Sequence, residues 1–336
     1  MTQIYIIRHG EAEGNIFRRL HGQYDSLLTP RGHRQVEAVR KRFGNIPIDG
    51  CFSSDLTRTS LTARSIYIPK GLKLHRDPRF REVNVGIWED VPYGYLDTFE
   101  ARGMWEFNYA PEKWRVENSE TFDDYTQRFL EGMREAAERF DGGTIAIFAH
   151  GAVIRGTLMR LFFRNNLDQL PYSDNTGVCK LRYGKGQITY EYLNDNSHVP
   201  EALSTFYIQR WWRQNDRRKE SAVYFRDGEA PVPMPGGGAT RVAMLIDRPV
   251  GAVVLGDAEN GIGKVLGIDL LPDYRGRYYG DQLLGEAVSH FRHLGCRQVC
   301  LDCGGDPDGI FERYEFDPLT RCMSIDTTVF DWTGDV

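Results

Sequence analysis

The strongest constraint on this chain is a pattern used twice. The apolar run Ile4-Tyr5-Ile6-Ile7 ends in Arg8-His9-Gly10-Glu11, and the run Thr144-Ile145-Ala146-Ile147-Phe148-Ala149 ends in His150-Gly151. Each run has the length and apolar character of a buried strand. The second is followed at once by Ala152-Val153-Ile154 through Phe163, which has helical spacing. Buried strands alternating with helices predict an open α/β sheet. In such sheets ligands collect outside the carboxyl ends of the strands, where helix amino termini offer free N–H groups. Two histidines therefore leave strand ends that face one crevice. A lone His after a strand is most simply a turn residue, whereas a matched pair marks a candidate reactive centre.

A further segment, Ser53-Ser54-Asp55-Leu56-Thr57-Arg58, reads as a strand end running into a helix, with Ser or Asp as cap and Arg58 in the first turn. Arg58 and Arg8 are candidate phosphate forks, because a planar guanidinium matches two phosphate oxygens and keeps its charge. Glu82 lies in the loop-like stretch Arg79 to Trp88 and is the candidate proton donor. A nucleophilic imidazole, fixed positive charge and a carboxyl group are what phosphoryl transfer asks of a protein.

These segments resemble a known family. Arg8-His9-Gly10-Glu11 with Asn15, Leu27 to Gly32 with Gln35, Ser54 to Arg58, Glu82 with Gly86 and Trp88, Glu120-Thr121-Phe122, and Ala149-His150-Gly151 occur in the order seen in the histidine phosphatase superfamily, the phosphoglycerate-mutase-like group. The resemblance covers about residues 1 to 198 and closes with Asn194 to His198. It implies a three-layer α/β/α domain with a mostly parallel sheet, and His9 as a nucleophile that becomes a phosphohistidine. It further implies Arg8, Arg58 and a protonated His150 as the phosphate pocket, and Glu82 as acid and base. Asn15, Gln23 and Tyr24 are the expected substrate contacts, with Phe17, Arg18 and Arg19 near the entrance. No metal and no cofactor are expected for this chemistry.

A chain of 336 residues is long for one domain, and the expected division is 1–198, a linker and first helix at 199–239, and a core at 240–336. Basic and acidic residues nearly balance up to residue 198 and acids predominate after it, so no basic face points to nucleic acid. No apolar segment reaches the length of a membrane span, and no leader precedes the first strand, so a cytoplasmic protein is expected. Cys296, Cys300 and Cys303 have a spacing that superficially resembles a cluster-binding loop. Cys300 falls inside a predicted strand, however, and all six cysteines are expected as reduced thiols.

The last third has its own order of elements. Thr240 to Ile246 and Gly251 to Leu255 read as paired strands, Val265 to Leu271 as a third, Asp281 to His293 as an amphipathic helix, and Gln298 to Leu301 as another strand. Gly228 to Gly238 reads as loop. With Leu271 to Gly280 and Phe311 to Phe316, this order resembles a GNAT-superfamily acetyltransferase, which implies an α+β domain with a mixed sheet and acetyl-CoA as cofactor. Arg275, Gly276, Arg277, Tyr278, Tyr279 and Gly280 would then form the pyrophosphate cradle. Three residues depart from the family pattern: Tyr278 and Glu315 stand where glycine is usual, and Phe311 where a tyrosine acid is usual, with Tyr314 nearby.

The aromatic residues between 88 and 118, among them Trp88, Tyr93, Tyr95, Phe99, Trp105, Phe107, Tyr109 and Trp114, read either as a lid over an organic phosphate or as the core of a small helical cap. Phe206, Tyr207, Trp211 and Trp212 read first as packing between domains. The sequence thus leads to a phosphatase for a small organic phosphate monoester, fused to an acetyltransferase-like domain that binds acyl-CoA. The alternatives are a phosphoglycerate-type mutase and an acyl-CoA-sensing regulatory protein. A homodimer is expected from family habit.

Overall fold

A computed structural model describes residues 1–164, 169–214, 217–303 and 307–330. The first sheet runs in the spatial order Leu74–Arg76, Gly50–Ser53, Thr144–Ala149, Thr2–Arg8, Val178–Gly184, Gln187–Asp195. Its first four members are parallel, Val178–Gly184 pairs antiparallel with Thr2–Arg8, and Gln187–Asp195 pairs antiparallel with Val178–Gly184. Thr2–Arg8 and Thr144–Ala149 are central neighbours, with Arg8 opposite Ala149, so the residues that follow them emerge side by side.

Alternation along these strands divides the core. Ile4 and Ile6 pack with Ile145 and Ile147 under helices Phe122–Arg139 and Gly151–Phe162. Tyr5 and Ile7 pack with Ala146 and Phe148 under helices Pro30–Arg42 and Thr57–Lys70. The helices begin where their sequences dictate. Thr29 accepts the amide of Gly32 with Pro30 in the first turn, and Thr121 with Asp124 forms a capping box.

The second sheet runs Tyr224–Asp227, Ala239–Leu245, Arg248–Glu259, Ile262–Leu270, Gln298–Leu301, Cys322–Ser324. Only Ile262–Leu270 with Gln298–Leu301 is parallel. Helix Tyr279–His293 lies on it with Leu283, Leu284, Ala287, Val288 and Phe291 buried, the stripe expected from the sequence. The protein is therefore a mostly parallel three-layer α/β unit followed by an α+β unit with a mixed sheet.

The stretch 199–239, expected as linker and first helix, holds two short helices, Thr205–Ile208 and Arg210–Arg213, and the edge strand of the second sheet. Gly228 to Gly238 carries no regular element, in keeping with its prolines and glycines.

The two units share a core. Ile16 and Phe17, just downstream of His9, belong to the apolar cluster of the second sheet. Phe17 presses on helix Tyr279–His293 so closely that a Cβ on Gly285 would meet its Cβ at 2.4 Å. Burying one such ring contributes about 1.5–3 kcal/mol. Buried ion pairs frame the contact: Arg19 bonds Asp90 at 2.7 Å and Glu286 at 2.9 Å, and Arg292 forks onto Glu13 at 2.9 and 3.0 Å.

The expectation of six reduced thiols needs correction. Cys300 and Cys322 stand opposite each other on antiparallel strands and are joined as a disulfide. Alternation along one strand separates neighbouring sulfurs, but it does not show which residue faces Cys300 across the ladder. Cys51, Cys179, Cys296 and Cys303 are free. Among the described residues no helix is long and apolar enough to cross a membrane.

A candidate active site at the ends of the parallel strands

His9 follows the end of its strand, and His150 is the N-cap of helix Gly151–Phe162. Their rings lie 5.2 Å apart between centroids. Nδ1 of His9 is 2.6 Å from the carbonyl oxygen of Gly10. A carbonyl only accepts, so Nδ1 carries the proton and Nε2 keeps its lone pair. Burial, reinforced by the positive charges of Arg58 and Arg8, holds the His9 imidazole well below its ordinary pKa. His9 is thus neutral, with one nitrogen free to attack.

His150 is fixed in the opposite tautomer. Arg58 donates from Nε to its Nδ1 at 3.2 Å, so the proton sits on Nε2, a buried atom without a hydrogen-bond partner. Burial and Arg58 lower its pKa well below the usual value. The expected protonated His150 is therefore corrected: this ring brings an N–H donor, and the fixed charge belongs to the arginines.

Arg58, only 2% exposed, also donates to the carbonyls of Tyr24 at 2.9 Å and Gly22 at 2.7 Å. The loop after the nucleophile thereby sets the guanidinium in place. Arg8 donates from Nη1 to the Ser173 carbonyl, and its buried Nε has no partner. Arg8 Nε and His150 Nε2 are thus buried donors left over beside the His9 ring.

Glu82 sits across the amino terminus of helix Gly151–Phe162. It accepts the amide of Ala152 at 2.9 Å on Oε2, and those of Val153 at 2.7 Å and Val83 at 3.0 Å on Oε1. The free N–H groups of the first turn and the helix dipole anchor its carboxyl group. Asn15 accepts from the Ala12 amide and from Asn175 on its one oxygen, which leaves its NH2 group as the available end.

His9, Arg8, Arg58, Glu82 and Asn15 line the base of one cavity of about 770 Å³, whereas His150 is fully buried behind the His9 ring and is not among the lining residues. Gln23 and Tyr24, expected as substrate contacts, do not line it. The Gln23 side chain bonds the Glu82 carbonyl, and the Tyr24 ring stacks between His21 and His293. Their backbones matter instead: the amides of residues 22 to 24 converge on the Glu89 carboxylate, which shapes the loop that grips Arg58.

The sequence reading missed Asn175, which donates to the His9 carbonyl at 3.1 Å. It stands in Pro171 to Gly177, ahead of the strand that pairs with Thr2–Arg8. Only that pairing brings this turn to the nucleophile. The aromatic stretch divides between both of its readings: Trp88 and Trp114 are core, whereas Tyr93, Phe107 and Tyr109 face the cavity. Phe206 and Trp212 also line the cavity, beyond their expected packing role.

The expected pyrophosphate cradle does not fit a coenzyme. The Gly276 amide already donates to the Asp308 carboxylate at 2.8 Å, and a Cβ on Gly280 would meet that carboxylate at 2.9 Å. Arg275 is paired with Asp269 at 2.8 Å, Arg277 leans toward Trp211, and the Tyr278 ring lies near Arg31 and Arg313. Tyr279 is buried, with its hydroxyl on the Glu220 carbonyl. A diphosphate would compete with an internal carboxylate for the space and the donor. Tyr314, the tyrosine near Phe311, is also engaged, since its buried hydroxyl bonds Asp281 at 2.8 Å.

Residues 4–196 match the family model of the histidine phosphatase superfamily (branch 1), and residues 188–308 match that of the acetyltransferase (GNAT) family. A probable phosphoglycerate mutase GpmB from Yersinia pestis (strain Pestoides F) is 34% identical over 154 residues, 46% of this chain and 72% of that protein. Bacillus stearothermophilus YhfR superposes with a TM-score of 0.56 at 27% identity, over 60% of this chain and 100% of that one. A mycobacterial glucosyl-3-phosphoglycerate phosphatase superposes with a TM-score of 0.54 at 21% identity, over 58% of this chain and 99% of that one, a likeness of fold alone. With the match spanning more than half its length, the chain belongs to the histidine phosphatase superfamily, branch 1.

Proposed function

We propose that this protein hydrolyses a small organic phosphate monoester through a phosphohistidine on His9. The observation that carries this reading is the His9 Nε2 lone pair, freed by the Nδ1 bond to Gly10 and flanked by the unpaired buried donors Arg8 Nε and His150 Nε2.

His9 Nε2 attacks phosphorus in line with the leaving oxygen, and the phosphorus–oxygen ester bond breaks. The Gly10 carbonyl, already bonded to Nδ1–H, stabilises the positive charge that forms on the ring. Arg8, Arg58 and His150 Nε2–H meet the charge on the phosphoryl oxygens. Glu82 delivers its proton to the leaving alkoxide. It then takes a proton from water as that water attacks phosphorus, the phosphorus–nitrogen bond breaks, and His9 regains its lone pair. The proton taken from water replaces the one given to the alkoxide.

A phosphoglycerate-type mutase is the second reading, favoured by the name of the GpmB relative. It would return the phosphoryl group to the bound organic molecule instead of to water. The second unit, in this proposal, is a brace and wall for the phosphatase site and not an acetyl donor, since Asp308 occupies the cradle.

The test is phosphate release from a panel of metabolite and aryl phosphates, with a chelator present, comparing wild type with His9→Ala. Release that survives chelation and is lost in the variant supports the hydrolase. An isomerised ester without net release supports the mutase, and equal release by both proteins overturns the His9 assignment.

A further inference from the structure

The cavity extends well beyond the phosphate-pocket residues at its base, and its outer wall comes from the segment between the two units. Phe206, Gln209, Trp212, Arg213 and Arg218 line it there, facing Arg18 from the loop after the nucleophile. Two of these arginines are unusual. Arg18, whose backbone is in the left-handed region at φ 55°, lies 4.6 Å from the Tyr93 ring and 5.0 Å from that of Trp212. It donates to the Ser221 hydroxyl at 3.1 Å, and its Nε is buried without a partner. Arg213 lies 3.7 Å over the Phe206 ring and 4.5 Å from the same Trp212 indole, and it donates from Nε to Gln209.

Neither guanidinium forms an ion pair with a carboxylate among the described residues. Arg218, by contrast, is matched to Asp97 at 3.4 Å. Two like charges thus share one indole, with Arg8 at the base of the same cavity. The Arg213 side chain is exposed to water, and the fields of Arg18 and Arg8 lower its pKa against the opposing field of Asp174. Aromatic faces attract each cation, but they do not relieve the repulsion between the two. A structural arginine ordinarily spends its donors on carboxylates or carbonyls. The buried Nε of Arg18 is spent on neither, which matches a guanidinium kept for an incoming anion.

We infer that the substrate carries a second anionic group besides its phosphate ester, and that Arg18 and Arg213 hold it on either side of Trp212. The inference rests on the phosphatase reading and narrows its substrate class to phosphate monoesters that also bear a carboxylate or a second phosphate. Both have the planar or trigonal oxygen arrangement that a guanidinium fork recognises.

The test compares three esters with similar leaving groups: one without a second charge, one with a carboxylate and one with a second phosphate. The wild-type full chain is expected to favour the charged esters in kcat/KM by about 10- to 100-fold, the range of a charge-assisted hydrogen bond. The preference between carboxylate and phosphate separates the two sources. Arg213→Gln is expected to cut the charged-to-neutral ratio about tenfold, chiefly through KM, and Arg213→Lys to restore part of it. The same ratio is read as Kd by calorimetry in the His9→Ala background. If wild type hydrolyses none of the esters, the phosphatase reading falls while the subsite is still tested by binding. A wild-type ratio near one, or a ratio unchanged in Arg213→Gln, overturns the subsite.

Discussion

Arg58 donates from Nε to Nδ1 of His150 at 3.2 Å, and this bond decides which nitrogen of His150 carries the proton. The same guanidinium is among the charges that keep both histidines neutral. One residue therefore sets the tautomer of one ring and helps set the protonation state of the other.

The pH dependence follows from those directions. His9 attacks only when neutral, and its pKa lies well below 6.5, so the acid limb of kcat/KM attributable to His9 is expected below the ordinary imidazole range. Arg8→Gln removes one depressing charge and should move that limb toward higher pH. For stability the sign is opposite to that of a salt-bridged histidine. The folded state holds His150 neutral while the unfolded chain protonates it near 6.5. The contribution is complete above that pH and is lost as pH falls below it, because the unfolded state then binds more protons. Denaturant midpoints of wild type and His150→Asn between neutral and mildly acid pH check this, and parallel slopes would refute it.

Glu82→Gln should slow hydrolysis of alkyl phosphates by about 10²- to 10⁴-fold and affect aryl phosphates far less, since a good leaving group needs little protonation. A complication is built into the site. Both carboxyl oxygens of Glu82 accept backbone amides, so the NH2 of a glutamine must face an N–H in place of one of them. Thermal melts should therefore accompany the kinetics. Full activity of Glu82→Gln on an alkyl ester removes Glu82 from its role.

Calorimetry with coenzyme A at millimolar concentration should register no binding, because the Asp308 carboxylate is bonded to the Gly276 amide and fills the space against Gly280. Saturable binding by the full chain would show that the carboxylate yields its place, and would restore the acyl-CoA reading of the second unit.

The reactive base of the site was legible because its signals are local. Apolar runs ending in His-Gly announce strand ends, and the helix that carries Arg58 starts where expected, although its N-cap is Leu56 and not the expected Ser or Asp, the Thr57 amide being accepted by Asp25 from a distant loop. What stayed hidden depends on which distant segment folds back. Asn175 reaches His9 only through antiparallel pairing of Val178–Gly184 with Thr2–Arg8. Arg213 reaches the cavity only because the segment between the units turns over it. Tyr24 failed for the converse reason: its position in the loop was right, but a loop position does not say whether a ring points into a cleft or toward a second unit.

The contact between the units gives the last prediction. Arg19 forms a buried fork between Asp90, on the first unit, and Glu286 with Ser289, on helix Tyr279–His293. Such a cluster adds little over apolar packing when intact; without Arg19, Asp90 keeps His21 and Ser289 and Glu286 keeps Arg241, so the loss is that of charge-assisted hydrogen bonds, about 1.5–3 kcal/mol. Arg19→Met should therefore lower stability by that order in chemical unfolding. It should also reduce turnover, because Arg19-Leu20 leads directly into Gly22 and Tyr24, whose carbonyls hold Arg58. Arg19→Lys keeps the charge but not the fork and should fall between the two. If Arg19→Met unfolds within about 0.5 kcal/mol of wild type, the range of an ordinary surface change, the second unit does not brace the nucleophile loop. If stability falls while turnover per folded molecule is unchanged, the brace holds the units together without reaching Arg58.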